Sequence, residues 1–493
     1  MSSHDQREPE AELGLLDATM IGMGAMIGAG IFVLTGLAAE ISGPAAILVF
    51  LLNGVVTAFT GLSYAELASA IPKSGGGYAF VREIFDDFGS FMMGWMLWFA
   101  YMIAGALYAL GFAPNFIELL HVYGLTAAPG EVGAVILPVL GVGVPPRFIL
   151  AFVAVAGLVA LNAASTAASG SAETVFTIIK VTILMVFVAF GFLSAGGGGE
   201  TSFTFQNFDP LFTEGSGPFS ILPAMGLTFI AFEGYDLITT VTEEVENPRE
   251  NIPKAIFVSL LATVVVYLLV VTVAIGTLGA TELAAAGEAG IAEAATSFMP
   301  TGVPVIQNGG ALIVFGAVFS TITALNAVVI ASSRVAFSMG REGQLVQSVG
   351  QIHYRFGTPF VAVLLSAVVM LGSVFLPTQS AGNMSSLFFL LSFIIVNVAV
   401  IRLRRERPNM NRPYKIPYYP APPLLAIALN AILAVVLIRF LIQTDLLALL
   451  LSIGWLGIGA VMYVALNEYR TRRTAGRTEP TTDQPATDGP RED

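Results

Sequence analysis

Two carboxylates and one ammonium stand where the surrounding residues are apolar. Glu233 and Asp236 fall within GLTFIAFEGYDLITTVTEE (226–244), and Lys180 within SAETVFTIIKVTILMVFVAF (171–190). A charge at the centre of a membrane-buried helix costs roughly 2.5–3.5 kcal/mol on insertion scales, so each group must meet protein, water or a ligand. A second apolar stretch, GMGAMIGAGIF (22–32), carries Gly22, Gly24, Gly28 and Gly30. Glycine inside a helix costs up to about 1 kcal/mol relative to alanine, and unwound backbone is tolerated in lipid only where it faces protein or a cavity. The glycines therefore predict a break at Ile27, Gly28, Ala29, Gly30 and Ile31, and Gly234 predicts a comparable one beside Glu233. Freed N–H groups of Ala29, Gly30 and Ile31, at the start of an outer half-helix, suit a carboxylate. Freed carbonyls of Phe229, Ile230 and Phe232 suit an ammonium group. A molecule with both groups on one carbon is an α-amino acid. The competing reading is that the glycines only let helices approach closely.

The elements that must carry these groups follow from composition. The chain has 493 residues, 55% hydrophobic and 11% charged, with a mean hydropathy of +0.80, far from an ordinary soluble domain. Apolar runs of roughly 20 residues, enough for a ~30 Å hydrocarbon core, predict twelve spans near 17–39, 44–70, 90–120, 147–166, 174–195, 218–242, 255–279, 306–338, 359–376, 384–403, 422–441 and 444–466. Between them 196–217, 280–305 and 404–421 read as the long loops, and 470–493 as a disordered, polar tail. Residues 1–16 lack the charge pattern of a cleavable signal peptide, so the first span is expected to stay, behind a cytoplasmic N-terminal segment. The two interrupted helices are spans one and six, the spacing of a five-plus-five inverted repeat.

Lysine and arginine cluster on one side of this topology: Lys73, Arg82, Arg249, Lys254, Arg341, Arg355, the run Arg402 to Lys415, and the tail arginines, against little more than Arg147 and Arg439 on the other. The positive-inside rule predicts both termini in the cytoplasm and a multi-pass protein of the cell membrane. The net charge of −12 argues against nucleic-acid partners and is compatible with a halophilic prokaryote or with coding bias. There is no cysteine, and His4, His121 and His353 lie outside the apolar spans. Disulfides, thiolate chemistry and a Cys/His metal cluster are thus excluded, no cofactor is expected, and an enzyme is the least favoured class.

IGMGAMIGAGIF, FIAFEGYDLITTVTEEVENPRENIPKAI, IASSRVAFSMGREGQL, FGTP and NRPYKIPYYP occur in that order along the chain. Together they resemble the amino acid-polyamine-organocation superfamily of permeases. The resemblance implies an all-α membrane protein with a leucine-transporter-like fold: repeat one about 17–195, repeat two about 218–405, and spans eleven and twelve (about 422–466) appended within a transporter domain of 17–469. It assigns substrate carboxylate to Gly28, Ala29, Gly30 and Ile31, substrate amine to the carbonyls of Phe229, Ile230 and Phe232, and an outer closing role to Phe229. It implies that Lys180 stands where sodium sits in sodium-coupled relatives, bridging spans one and eight. Its expected partners are a carbonyl near Gly24 or Ala25 and a hydroxyl among Ser320, Thr321 and Thr323, and its protonation would couple transport to protons. Snorkelling toward the interface is the alternative for Lys180, and bonds to their own i−4 carbonyls the alternative for the hydroxyls.

Glu233 is left with three readings: a proton-titrating gate, a counter-charge for a cationic substrate, or a structural acid bonded to freed backbone N–H groups. Asp236 is expected to cap the second half of span six, and Glu66 to be a solvated or gate-forming carboxylate. Arg249, with Lys73 and Arg82, is a candidate inner gate against EEVENPRENIPKA, or part of an ordinary turn. Tyr101 and Tyr108 are candidates for the side-chain pocket between spans one, three, six and eight, with apolar packing as their default. The function expected is secondary transport of an α-amino acid by alternating access, sodium-independent and proton-coupled. Its rivals are an exchanger of cationic amino acids or polyamines, and a sensor that binds without transport. Oligomeric state is not legible.

Overall fold

A computed structural model describes residues 13–73, 75–127, 133, 135–137, 142–164, 170–195, 202–212, 217–300 and 309–475. Its first helical stretch is already interrupted: α1 (Leu15–Met26) gives way at Ile27 and Gly28 to α2 (Ala29–Ser42). Gly43, at φ +61°, turns the chain, and Pro44 opens the short 3-10 turn that leads into α3 (Ala46–Ala70). Glycine at the end and proline at the next start is the usual division of labour at helix junctions.

Beyond α4 (Gly76–Arg82), the 36-residue α5 (Asp87–Val122) starts where the Asp86 side chain accepts the Gly89 N–H at 2.9 Å. It is apolar all round and runs through the centre of the molecule. A two-stranded antiparallel hairpin, β1 (Val135–Leu137) with β2 (Val142–Val144), precedes α6 (Pro146–Ala164) and α7 (Gly170–Leu193). The sixth apolar stretch is broken into α8 (Ile221–Thr228), a 3-10 turn at Phe229–Phe232, turns at 233–236 and a further 3-10 segment at Leu237–Glu244. α9 (Pro248–Leu278) follows, starting at Pro248 and continuing through Pro253.

The stretch expected as the loop 280–305 instead contains α10 (Ala280–Ala286) and α11 (Gly290–Phe298) among its described residues. Its alanines, the best helix formers, supply the propensity, and both helices pack on α2. α12 (Gly309–Arg341), α13 (Phe360–Ser373), α14 (Thr378–Glu406), α15 (Ala421–Thr444) and α16 (Leu446–Ala475) complete the bundle. α16 carries on to Ala475, past Arg470 where the tail was expected to start; 476–493 and 1–12 lie outside the described residues. Leu13 pairs with Val245, donating to the Glu244 carbonyl and accepting from the Glu246 N–H, which ties the chain at Leu13 to the C-terminal end of the sixth stretch.

Among the described residues, ten helical segments are long and apolar enough to cross a membrane, with Phe360–Ser373 a shorter apolar helix beside them. α5 packs against α12 and α14, while α1, α3 and α7 pack against α9. α16 is fastened to α5 by a reciprocal indole pair: Trp95 donates to the Trp455 carbonyl at 2.9 Å and Trp455 to that of Trp95 at 3.2 Å, with the rings stacked at 4.4 Å. Trp98 completes the cluster, edge-on to both rings. The outward faces of α13, α15 and α16 expose Val368, Val435 and Val461, apolar surface of the kind that lipid covers.

Candidate functional site

The two breaks meet. Gly234 has φ +143°, a conformation that L side chains rarely adopt, and a Cβ there would lie 2.6 Å from the Met26 backbone nitrogen. Likewise a Cβ on Gly30 would lie 2.7 Å from Cα of Ala231. Glycine at these points is what lets one unwound backbone approach the other. Tyr267 of α9 fastens them, its hydroxyl 2.5 Å from the Met26 carbonyl and 2.9 Å from that of Ala231. From the other side Ser386 of α14 accepts the Ile230 N–H at 3.1 Å and donates to the Leu227 carbonyl at 3.2 Å. Asn53 of α3 donates to the Met225 carbonyl and to the Thr228 hydroxyl, both at 3.0 Å.

Between these elements lies a small cavity of about 10 Å³, lined by Ala25, Tyr101, Ala104, Tyr108, Glu233, Gly234, Leu237, Ala324, Val328 and Phe389. That is room for about one water, so any larger molecule must part the walls. Glu233 is buried and neither carboxyl oxygen has a hydrogen-bond partner among the described residues. Its backbone N–H goes to the Ile230 carbonyl at 3.1 Å. Asp236 beside it bonds backwards, accepting the Gly234 N–H at 2.9 Å, and accepts the Tyr101 hydroxyl. It does not cap the following helical segment as expected.

Of the residues picked from sequence, Glu233, Tyr101 and Tyr108 line the cavity, whereas Ile27 to Ile31, Phe229, Ile230 and Phe232 do not. Ala29, Gly30 and Ile31 form the first turn of α2, where backbone N–H groups have no intrahelical partner. Phe229 is fully buried with its ring 6.0 Å from Phe393, and Phe232 packs between Phe50 and Tyr267. The Ile230 carbonyl, expected to be free, is occupied by Glu233, because the 3-10 turn closes a hydrogen bond three residues on.

Lys180 has no exposed surface, which removes the snorkelling alternative. Its Nζ donates to the Gly24 carbonyl at 2.9 Å and stands 3.9 Å from Glu173. Of the α12 hydroxyls, none reaches it: Ser320 donates to the Ile27 carbonyl at the break, while Thr321 and Thr323 bond the carbonyls of Ala317 and Phe319, one turn back. Thus α12 meets the first break through a neutral hydroxyl and α7 meets it through a cation.

On the side rich in arginine, the pairing differs from expectation. Arg249 is exposed and makes no ion pair among the described residues. Arg334 of α12 instead reaches the C-terminal end of the sixth stretch, contacting the Thr240 carbonyl at 3.2 Å and Glu244 at 3.3 Å. Lys73 pairs with Glu83 and holds that carboxyl below the usual range, and Arg82 bonds Asp87 at 2.5 Å and Glu342 at 3.4 Å. Glu66 is not solvated. It is buried under Arg404, which bonds both of its oxygens at 2.7 and 2.5 Å, and it accepts the Ile416 N–H at 2.8 Å. Tyr267, Arg334, Ser386 and Asn53 were not singled out in the sequence; a lone polar residue in an apolar run was the only available signal. Among the described residues no group of His, Cys, Asp or Glu is placed to hold a metal.

A family model described as amino acid permease matches residues 13–464. The branched-chain amino acid permease BcaP of Bacillus subtilis is 30% identical over 477 residues, covering 93% of each chain. The methylthioribose transporter of the same organism is 27% identical over 459 residues and 92% of each chain. The Asc-type amino acid transporter 1 of Mus musculus is 30% identical over 423 residues, 82% of this chain and 72% of that one. These relatives are transporters, not enzymes. With two interrupted apolar helices joined around a closed cavity, and a family match across nearly its whole length, the chain belongs to the amino acid permeases of the amino acid-polyamine-organocation superfamily.

Proposed function

We propose that this permease carries an α-amino acid across the cell membrane by alternating access, without sodium and coupled to protons. The observation that carries the reading is the Lys180 ammonium on the Gly24 carbonyl, inside the packed core and one turn from the break in the first span. A fixed cation there removes the need for a bound metal cation, and an amine that can lose its proton links protonation to the geometry of the break. Counting Leu15–Ala70 as two passes and Phe360–Ser373 as one gives twelve spans, in keeping with repeats at about 17–195 and 218–405, two appended helices, and both termini in the cytoplasm by the positive-inside rule. Substrate carboxylate would meet Ala29, Gly30 and Ile31 once the walls part. The mostly apolar wall of Ala25, Ala104, Leu237, Ala324, Val328 and Phe389, and the substrate in BcaP's name, both favour an apolar side chain.

The test is uptake of a labelled L-amino-acid mixture into sodium-free proteoliposomes, with and without an inward proton gradient, beside Lys180→Ala. Gradient-driven accumulation lost in the variant supports the reading; uptake that appears only when amino acids are loaded inside overturns it in favour of exchange. One observation favours the exchanger of cationic substrates: the unpartnered Glu233 carboxyl in the cavity wall. Competition separates the two, since arginine rather than leucine would then displace the label.

A further inference from the structure

We propose that Glu173 is the group through which Lys180 exchanges its proton with the cytoplasm. The proposal rests on the reading of Lys180 as the coupling amine and adds the route by which its proton leaves.

Lys180 has no exposed surface, whereas the Glu173 side chain is 24% exposed, and the two stand 3.9 Å apart. Glu173 lies two turns nearer the N-terminus of α7, on the same face as Lys180, at the end of the molecule where α1 also begins. Room for this approach comes from α1. A Cβ on Gly24 would fall 2.5 Å from Glu173 Oε1 and 2.2 Å from Thr177 Oγ1. Gly24 therefore does two things at once: its carbonyl receives the Lys180 ammonium, and its missing side chain leaves the space that Glu173 fills.

The surroundings isolate the pair. Among the described residues the only ion pair that either Lys180 or Glu173 makes is with the other. Asp17 of α1 is committed to Thr174, whose hydroxyl it accepts at 2.7 Å, and to the Gly14 N–H at 3.2 Å. On the other elements packed against α7, Arg249, Glu250 and Lys254 sit at the start of α9, where Lys254 pairs with Glu250, and Arg334 of α12 pairs with Glu244. Arg341 ends α12 over the Phe337 ring. Glu293, in the first turn of α11, completes the set.

The transfer conserves charge and atoms. When the first span shifts and the Gly24 carbonyl withdraws, the ammonium passes one proton from Nζ to Oε1, leaving a neutral amine and a carboxylic acid. The acid then gives the proton to cytoplasmic water and returns to carboxylate. A proton entering from outside restores the ammonium.

The experiment uses the full chain in sodium-free proteoliposomes with a pH-sensitive dye inside, the labelled L-amino-acid mixture as probe, and tracer counterflow at equal pH as the second readout. Glu173→Gln is expected to lower proton influx at least about tenfold more than it lowers counterflow, and to remove the dependence of uptake on internal pH. Glu173→Asp, which keeps a titratable acid, is expected to retain proton influx. A parallel fall of both readouts in Glu173→Gln, or no fall in either, overturns the proposal, as does loss of influx in Glu173→Asp. Lys180→Ala that still takes up protons overturns the coupling reading itself, a result distinct from an unaffected Glu173→Gln beside an inactive Lys180→Ala.

Discussion

Tyr267→Phe removes one proton donor from the junction of the two broken helices and little else. The ring keeps its edge contacts with Phe50 and Phe232, at 5.6 and 5.3 Å between centroids. A single phenol proton is shared between the Met26 and Ala231 carbonyls, so one hydrogen bond is lost, worth about 1 kcal/mol net, and a buried acceptor is left short at a further cost of about 1–3 kcal/mol. Taking roughly 2 kcal/mol as the destabilisation of the closed arrangement relative to any arrangement that admits water, the open population rises about 30-fold. The chain has no cysteine, so a single thiol can report this without background. Ala104→Cys places it in the cavity wall, and the rate of its alkylation by a membrane-permeant maleimide follows the open population. We expect alkylation about 30-fold faster when Tyr267→Phe is added. A rate unchanged within about twofold would refute the idea that the Tyr267 hydroxyl holds the two breaks together.

Three further outcomes can be checked. Glu66→Leu strands Arg404, which bonds both carboxyl oxygens, and the nearly buried Arg412, 4.0 Å away, and should destabilise the protein by roughly 3–5 kcal/mol in thermal unfolding in detergent; adding Arg404→Met and Arg412→Met together should recover part of that, because the charge cluster is then removed whole. Gly30→Leu should prevent assembly rather than only abolish binding, since a Cβ already lies 2.7 Å from Cα of Ala231; near-normal amounts of folded protein in size-exclusion chromatography would contradict this. Burial pushes the Glu288 carboxyl above its ordinary range, against the opposing Thr378 hydroxyl and Arg147 charge. The segment joining α10 and α11 is then most stable with Glu288 protonated, and it loosens as pH rises from the ordinary carboxyl range through the raised value. Amide hydrogen exchange of the two helices, corrected for intrinsic rate, should show this step, and Glu288→Gln should abolish it.

What the chain discloses before folding is mostly local. The two interruptions were legible because glycine and carboxylate are costly inside apolar helices, so Gly28, Gly30, Glu233 and Gly234 stand out against their neighbours. Lys180 stood out for the same reason, whereas its carbonyl partner near Gly24 or Ala25 came only from the family resemblance, and the α12 hydroxyl expected beside it does not reach it. Tyr267 was not, since one tyrosine in VVVYLLVV is unexceptional and its two acceptors lie 241 and 36 residues away. The same distance in sequence hid Arg404 from Glu66 and Arg334 from Glu244. Charge counting placed Arg249 at a gate because it sits beside acids along the chain, while the arginine that reaches Glu244 comes from another helix. The occupied Ile230 carbonyl was missed because a 3-10 turn, unlike a clean break, satisfies its own backbone. The helices within 280–305 were missed because short alanine-rich segments carry no span-length hydropathy signal.

The protein has three tryptophans, and all three, Trp95, Trp98 and Trp455, form the one cluster that joins α16 to α5. Its tryptophan emission, excited at wavelengths that the tyrosines do not absorb, therefore comes from a single seam, remote in the chain from both broken helices. Fluorescence quenching on adding a substrate would signify movement between α5 and α16, and a silent spectrum would leave motion at the breaks untouched. A tryptophan reporter of the breaks themselves has to be introduced, and its signal would have to be separated from that of the one existing cluster.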